Sequence, residues 1–283
     1  MRIAYFGGDW FLNCLSAWEI NGHEVSHVFC HGEAKYNQKI RDWALTNNKS
    51  LHTSKPTVTD LQLLQNEQVD CLFSIEYPWL IPCDSFNFKT INVHPSLLPL
   101  GRGPTPVSWT LMKYPHMAGV TFHKLAAEFD TGDIIYQERM KISELDNLDS
   151  YLAKLELEIP QMLNRMLGKF DLLYQKAKPQ SAGTALPKIS LNDRKITWTS
   201  SCKEIRHIVR ASGQFGVVVL IADMAYLVKY VYCVEHEHQM KVGAIYAEDI
   251  NKYCITVSDG ICVIDKSNII EAIELNILDK SSK

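Results

Sequence analysis

Apolar residues recur along this chain with two periods, and the change between them marks how it is organised. Arg2–Phe6 is a short apolar run that stops at Gly7-Gly8, Phe11–Ile20 has helical spacing, and Val25–Cys30 is apolar again. Strand, turn, helix and strand in that order predict a Rossmann-like sheet. Tyr36–Asn47 and Thr59–Glu67 have helical spacing, the second with an N-cap at Thr57 or Thr59. Val69–Ile75 (VDCLFSI) is continuously apolar, the pattern of a strand buried on both faces. Further strands are predicted from Ile91, over Gly119–Leu125 and over Ile134–Ile142, with a short helix over Val107–Lys113. Leu148, Leu152, Leu155, Ile159, Met162 and Met166 keep i, i+3, i+4 spacing between Asp146 and Leu167. They predict an amphipathic helix kinked at Pro160.

Lys176–Gly183 (KAKPQSAG) has the composition of a linker. From Pro187 the grammar changes. One helix, over Cys202–Ala211, precedes β-rich runs at Gly216–Ile221, Tyr226–Glu235, Lys241–Tyr246, Tyr253–Val257 and Ile261–Asp265. Short strands at such spacing predict a small barrel or sandwich. The expected division is therefore residues 1–178 and 187–283, with a frayed tail over Asp279–Lys283.

Composition narrows the class. The chain has 283 residues, 46% hydrophobic and 22% charged, ordinary values for a soluble globular protein. No apolar run reaches the roughly 18 residues of a membrane span, and the opening MRIAYFGGDW lacks the apolar core of a signal peptide. Eight scattered cysteines without a C-x-x-C pair read as buried thiols of a reducing cytoplasm, with neither a disulfide framework nor a metal site. A net charge of −3 gives no general attraction to nucleic acid.

The candidate chemistry lies in Ile91–Pro106, INVHPSLLPLGRGPTP. Asn92 and His94 stand at i, i+2 on a predicted strand, so both side chains share one face. Asp130 follows in FDTGD, after another strand-like run. Taken singly, each has a structural reading: a hydrogen-bonded histidine, a turn asparagine, an Asx-type turn. Together they can carry acyl transfer. The Asn92 amide can donate to an oxyanion, His94 can move a proton near neutral pH, and Asp130 can orient the imidazole.

The Asn-x-His followed by PSLLP and GRGP, with Phe129-Asp130-Thr131-Gly132-Asp133 downstream, resembles the 10-formyltetrahydrofolate-dependent formyltransferases. That family includes glycinamide-ribotide, methionyl-tRNA and sugar-nucleotide formyltransferases. The resemblance covers Met1 to about Lys169. It continues more faintly to about Asp265 through PKIS and ITW, at Pro187–Ser190 and Ile196–Trp198. It implies a Rossmann-like formyltransferase domain followed by a small OB-like β domain, with 10-formyltetrahydrofolate as donor and no metal. It further implies a folate pocket lined by Pro78, Trp79 and Leu80, with Phe129 and Asp130 beside it.

Other residues bear on the acceptor. Gly7-Gly8 is not a dinucleotide fingerprint; it reads as a tight turn or, through Gly8, as an anion cradle. Arg102, between two glycines on a loop expected to be mobile, is assigned to an acceptor phosphate. His123 reads as a packed strand residue, His116 as a surface group, and His236 with His238 as an exposed strand end lacking a third ligand. From Lys188 onward twelve Lys and Arg balance twelve Asp and Glu, and HGEAKYNQKIRDW is not a dense basic loop. A tRNA-binding surface needs a basic stripe. The acceptor expected is therefore a nucleotide-linked amino sugar, with methionyl-tRNA as the alternative. A non-catalytic folate- or nucleotide-binding module is the reading from another class, and the intact Asn92, His94 and Asp130 weigh against it. A homodimer is left open.

Overall fold

The computed structural model describes residues 1–222 and 224–274; the expected frayed tail, Asp279–Lys283, lies outside them. Seven strands come first: β1 (Arg2–Phe6), β2 (Glu24–Phe29), β3 (Ser50–His52), β4 (Cys71–Ile75), β5 (Lys89–His94), β6 (Gly119–His123) and β7 (Ile134–Arg139). The helices are α1 (Asn13–Ile20), α2 (Gln38–Thr46), α3 (Val58–Asn66), α4 (Pro106–Met112), α5 (Leu148–Leu167), α6 (Phe170–Gln175) and α7 (Cys202–Ser212). Packing divides the chain into two compact units. The first takes Met1–Gly103, Met117–Lys141 and Ala153–Leu186; the second takes Pro104–His116, Ile142–Leu152 and the chain from 187 onward.

The first unit is a seven-stranded sheet in the order β3-β2-β1-β4-β5-β6-β7. β1 to β5 are mutually parallel, and β6 runs antiparallel to both of its neighbours. The chain steps outward from β1 to β3, then returns to the other side of β1 as β4. Such a reversal of strand order opens a crevice at the carboxyl ends of β1 and β4. β4 is buried at every position, as its unbroken apolar run requires. Beneath the crevice Phe6 stacks on Phe29 at 4.4 Å and meets the edge of Tyr77 at 5.4 Å. Each fully buried aromatic of this kind stabilises the sheet by about 1.5–3 kcal/mol.

Local chemistry explains the boundaries. The α3 cap is Thr57: its hydroxyl accepts from Asp60 N at 3.2 Å while the Asp60 carboxylate accepts from Thr57 N at 2.7 Å. The same reciprocal box, Ser201 with Glu204, starts α7. Pro160 lies inside α5 without splitting it.

The segment that reads as linker is not free. Lys178 and Ile134 exchange backbone hydrogen bonds at 2.8 and 2.9 Å, and Arg102 bridges Ala185 by donating to Thr184 O at 3.0 Å and accepting from Leu186 N at 2.8 Å. Composition reports the lack of apolar residues here, but not the backbone groups that tie the segment down.

The second unit is β-rich. β8 (Val217–Ile221), β9 (Met224–Val228), β10 (Tyr232–Glu235), β11 (Ile245–Glu248), β12 (Lys252–Val257), β13 (Gly260–Asp265) and β14 (Ile269–Ile273) form two antiparallel sheets, β10-β13-β12-β11 and β14-β9-β8. The run Tyr226–Glu235 is split between them. Residues of both sheets and of α7 share one apolar core, including Ile205, Val219, Val228, Cys262 and Ile264. All eight cysteines are buried and free. Among the described residues no helix is long and apolar enough to cross a membrane.

Candidate active site

β5 delivers Asn92 and His94 to the carboxyl edge of the sheet. Asn92 lies opposite Ser74 of β4 on one side and His123 of β6 on the other, and His94 lies opposite Thr121. After β6 the chain turns through Lys124–Asp133, closed by Lys124 N donating to Asp133 O at 2.9 Å and by the Lys124–Asp133 ion pair at 3.3 Å. Gly132 is required within this turn, because a Cβ there would sit 1.9 Å from Lys124 O. Asp130 takes φ +58°, a left-handed backbone that aspartate tolerates better than most residues.

The turn brings Asp130 back over His94. Asp130 Oδ1 lies 3.2 Å from His94 Nδ1 and 3.8 Å from His123 Nε2, and Oδ2 accepts from Gly103 N at 3.0 Å. The side chains are nearly sealed from water: His94 is 6% exposed, His123 2% and Asp130 9%. Burial pushes the Asp130 carboxyl upward. The His94 hydrogen bond and charge, together with the Gly103 N–H, outweigh that and hold it below the ordinary carboxylate value. Asp130 is therefore an anion at neutral pH.

His123 is a neutral imidazole. Burial, then the neighbouring His94, lower its pKa to about 4. Its Nδ1 donates to Lys124 O at 2.7 Å, so its Nε2 is the acceptor for the Asn92 amide at 3.0 Å. That single bond fixes which end of the Asn92 amide is nitrogen. The second amide hydrogen of Asn92 has no partner among the described residues. His94 Nε2 faces Gly101 O at 2.8 Å, so both ring nitrogens of His94 face oxygen acceptors.

The arrangement thus gathers Asn92, His94 and Asp130, as their spacing and order predict, and adds His123. The sequence reading of His123 as a packed residue is half of the finding: it is packed, and it also orients Asn92. Cross-strand register carries that contact, and no i, i+2 pattern reveals it. Gln180 is the other residue sequence reasoning missed. Its Nε2 donates to Asp130 O at 2.9 Å and Gly132 O at 2.7 Å, and its Oε1 accepts from Arg102 Nε and an Arg102 terminal nitrogen at 3.1 and 2.7 Å.

Arg102 departs from the expectation of a free residue on a mobile loop. Its backbone is paired to Ala185, and its guanidinium is held by Gln180 Oε1 and Ser181 O, both neutral acceptors. The Gly7-Gly8 turn also departs from an anion cradle. It leads into the single turn Asp9–Phe11, and Asp9 places a carboxylate there that accepts from Ile40 N at 2.8 Å. The glycines serve close packing: a Cβ on Gly7 would meet Ile75 O and the Tyr5 hydroxyl, both at 2.8 Å, and one on Gly8 the Asn37 side chain at 2.6 Å.

Pro78, Trp79 and Leu80 lie in the loop that follows β4 at the reversal of strand order. Trp79 stacks on His31 with centroids 5.2 Å apart and meets Tyr77 edge-on; Leu80 and, beside Asp130, Phe129 are 42% and 54% exposed. The buried Tyr77 hydroxyl has no hydrogen-bond partner among the described residues. Exposed apolar groups and an unmet polar atom at a sheet crevice suit a flat heteroaromatic ligand with a polar edge. His238 Nε2, past the end of β10, donates to Val257 O at 2.8 Å. Among the described residues no group of three or more His, Cys, Asp or Glu is placed to hold a metal ion.

Known proteins resemble this chain in sequence and in fold. Residues 1–167 match the family model described as formyl transferase, and residues 188–278 match the formyl transferase C-terminal domain. A methionyl-tRNA formyltransferase of Alkaliphilus oremlandii is 26% identical over 92% of this chain and 88% of its own length. Another, of Buchnera aphidicola, is 30% identical over 58% of this chain, which spans 52% of that relative's length. Among solved structures, an N-formyltransferase of Helicobacter canadensis in complex with folinic acid and dTDP-3-aminofucose superposes with a TM-score of 0.69 at 17% identity, over 94% of this chain and 98% of that one. HypX from Aquifex aeolicus, in complex with tetrahydrofolic acid, gives a TM-score of 0.64 at 21% identity; 93% of this chain matches 43% of that one.

Proposed function

The chain belongs to the formyl transferase family, enzymes of folate-dependent formyl transfer, and from that premise we propose that its acceptor is the amine of a nucleotide-linked amino sugar. Asn92, His94 and Asp130 carry the chemistry in this reading. The observation behind the chemistry is the buried Asp130–His94 contact at 3.2 Å with the Asn92 amide beside it.

A formyl tetrahydrofolate supplies the activated one-carbon group when bound. Pro78, Trp79, Leu80 and Phe129 would hold it in the crevice, with Asp130 at its reactive end. The uncommitted amide hydrogen of Asn92 is turned toward the oxygen on which negative charge gathers. His94 Nε2 is the proton-moving atom, and the acceptor amine displaces the Gly101 carbonyl that it now faces. Asp130 keeps the imidazole oriented and stabilises it when charged. His123 stays neutral and holds Asn92.

Charge supports the choice of acceptor. Residues 188–283 carry twelve basic and twelve acidic side chains, so no excess positive charge awaits a polyanion there. Arg102, held by neutral partners, keeps an undischarged guanidinium for one diphosphate. A second reading, methionyl-tRNA, is favoured by the names of the relatives in sequence.

Formyl transfer from 10-formyltetrahydrofolate to a panel of amino-sugar nucleotides, beside charged initiator tRNA, separates the two. We expect turnover with an amino sugar and little change between low and moderate salt. Neutralising several tRNA phosphates would instead give a log–log salt slope near minus one per phosphate. Efficient tRNA formylation with that slope, and none on any amino sugar, would overturn the acceptor and leave the chemistry standing.

A further inference from the structure

We infer that Gln180 is a positioning residue for formyl transfer: it ties the Asp130 turn to the Arg102 loop and so holds the Asp130 carboxylate against His94. The inference rests on the reading that Asp130 and His94 carry the chemistry. It does not depend on which amine is the acceptor.

The amide of Gln180 has two hydrogens and one oxygen with two lone pairs, and this structure uses all of them. Both hydrogens go to the Asp130 turn, at Asp130 O and Gly132 O, and both oxygen contacts go to Arg102. The Asp130 side chain makes a second tie between the same two segments, through Gly103 N. Asp130 is thus fixed to the Arg102 loop twice, once from its carboxylate and once from its backbone by way of Gln180. This matters because Asp130 sits at φ +58°, a basin that a non-glycine residue keeps only when its surroundings hold it there.

Gln180 is itself held. Lys178 is paired with Ile134 on one side, and Thr184 N donates to Pro99 O at 3.1 Å on the other. The strap crosses its neighbours without room for a side chain. A Cβ on Gly183 would lie 2.1 Å from Pro99 O, and one on Gly103 would lie 2.2 Å from Leu186 O. Residues 178–186 therefore act as a fixed anchor from which one amide reaches into both loops.

Two substitutions divide the role. Gln180→Met keeps the length and removes every polar contact. Gln180→Glu keeps an acceptor for Arg102 but sets a carboxylate oxygen against two carbonyls. The full-length chain, carrying 13C in its aspartate carboxyls, is titrated by NMR, with the Asp130 signal identified by its loss in Asp130→Asn. Turnover is measured in parallel at saturating folate donor.

In both variants the Asp130 titration should move upward, from below the ordinary carboxylate value back toward it, as the His94 and Gly103 contacts loosen. Turnover should fall about tenfold to a hundredfold, as expected when a catalytic group is displaced by a fraction of an ångström to an ångström. The KM for the folate donor should stay unchanged. A merely structural glutamine would lower the melting temperature and leave the Asp130 titration in place. An unmoved Asp130 titration in both folded variants overturns the proposal. So does wild-type turnover in Gln180→Glu, which would reduce the residue to a partner of Arg102. The NMR titration requires no acceptor, so an error in the acceptor cannot be mistaken for an error here.

Discussion

The same sheet carries two pairs of histidines, all buried but the half-buried His52, and only one pair makes a site. On β2 and β3, His27 and His52 lie ring to ring with centroids 5.7 Å apart, and His52 stacks on Phe29 at 4.1 Å. Among the described residues the Nε2 atoms of both have no hydrogen-bond partner, and the carboxylate beside His27, Glu67 at 3.4 Å, is 42% exposed. On β5 and β6, each nitrogen of His94 and His123 faces a polar partner, and both rings converge on one buried carboxylate. Burial is common to the two pairs and lowers the pKa of His27, His52 and His123 alike. What separates them is a returning loop. β5 and β6 are joined to a turn that brings a buried anion back over both rings, whereas the charges facing β2 and β3, Glu67 at His27 and Asp60 at His52, are themselves part exposed. A buried imidazole becomes useful when its nitrogens are aimed, and aiming takes a second segment of chain.

The largest contrast is catalytic. His94→Ala and Asp130→Ala should each lower turnover by about two to four orders of magnitude, the range for a positioned acid–base group. His27→Leu and His52→Leu should leave turnover unchanged. Equal losses from both pairs, measured as kcat on folded protein, would erase the distinction drawn here. Next comes Asn92→Ala. It should reduce kcat by about a hundredfold with little change in KM, the usual cost of one lost oxyanion donor. Smaller again is His123→Phe. It frees the Asn92 amide to rotate and should lower kcat by about tenfold, because misdirected groups act more weakly. A kcat equal to wild type would return His123 to a packing role alone.

The smallest effect is on stability, and here the pairs should behave alike. A histidine whose folded pKa lies below its unfolded value binds protons more readily when unfolded. Its contribution is therefore complete above pH 6.5 and is lost as the pH falls toward about 4, the folded value of His123. Asp130 acts in the same direction, further into acid. Its depressed pKa stabilises the fold above the ordinary carboxylate value and is lost only at more acid pH. Urea midpoints should therefore drop as the pH is lowered through the histidine window. The slope should flatten in His123→Phe and in the double variant of His27 and His52. A midpoint indifferent to pH in the parent would contradict the neutral state of all three.

Much of this was legible in the chain, for identifiable reasons. Apolar periods located β1, β2, β4, α3, α5 and α7, because helices and strands bury residues at fixed intervals. The i, i+2 spacing put Asn92 and His94 on one face, and Gly132 marked the turn that carries Asp130. What stayed hidden depended on pairing between distant segments. The contact of His123 with Asn92 comes from antiparallel register. Gln180 lies in a polar stretch whose composition resembles a linker, while its role comes from side-chain bonds to Arg102, 78 positions earlier, and to the Asp130 turn, 50 and 48 positions earlier. The surroundings of Arg102 and Gly8 stayed hidden for a related reason. A glycine-flanked arginine reads as free until its partners are known, and a Gly-Gly turn reads as a cradle until Asp9 is placed beside it.

The strap over residues 178–186 has a consequence for the order in which the protein is made. Synthesis proceeds from the amino terminus, and early segments can begin to fold while later ones are still unmade. β1 to β7 end at Arg139, so the whole sheet can form before Gln180 leaves the ribosome. At that stage Asn92, His94, His123 and Asp130 are all present, but Pro99, Arg102 and Gly132 still lack the partners that residues 180–184 provide. A nascent chain therefore passes through a form with Asn92, His94, His123 and Asp130 translated and the strap that fastens their loops still to come.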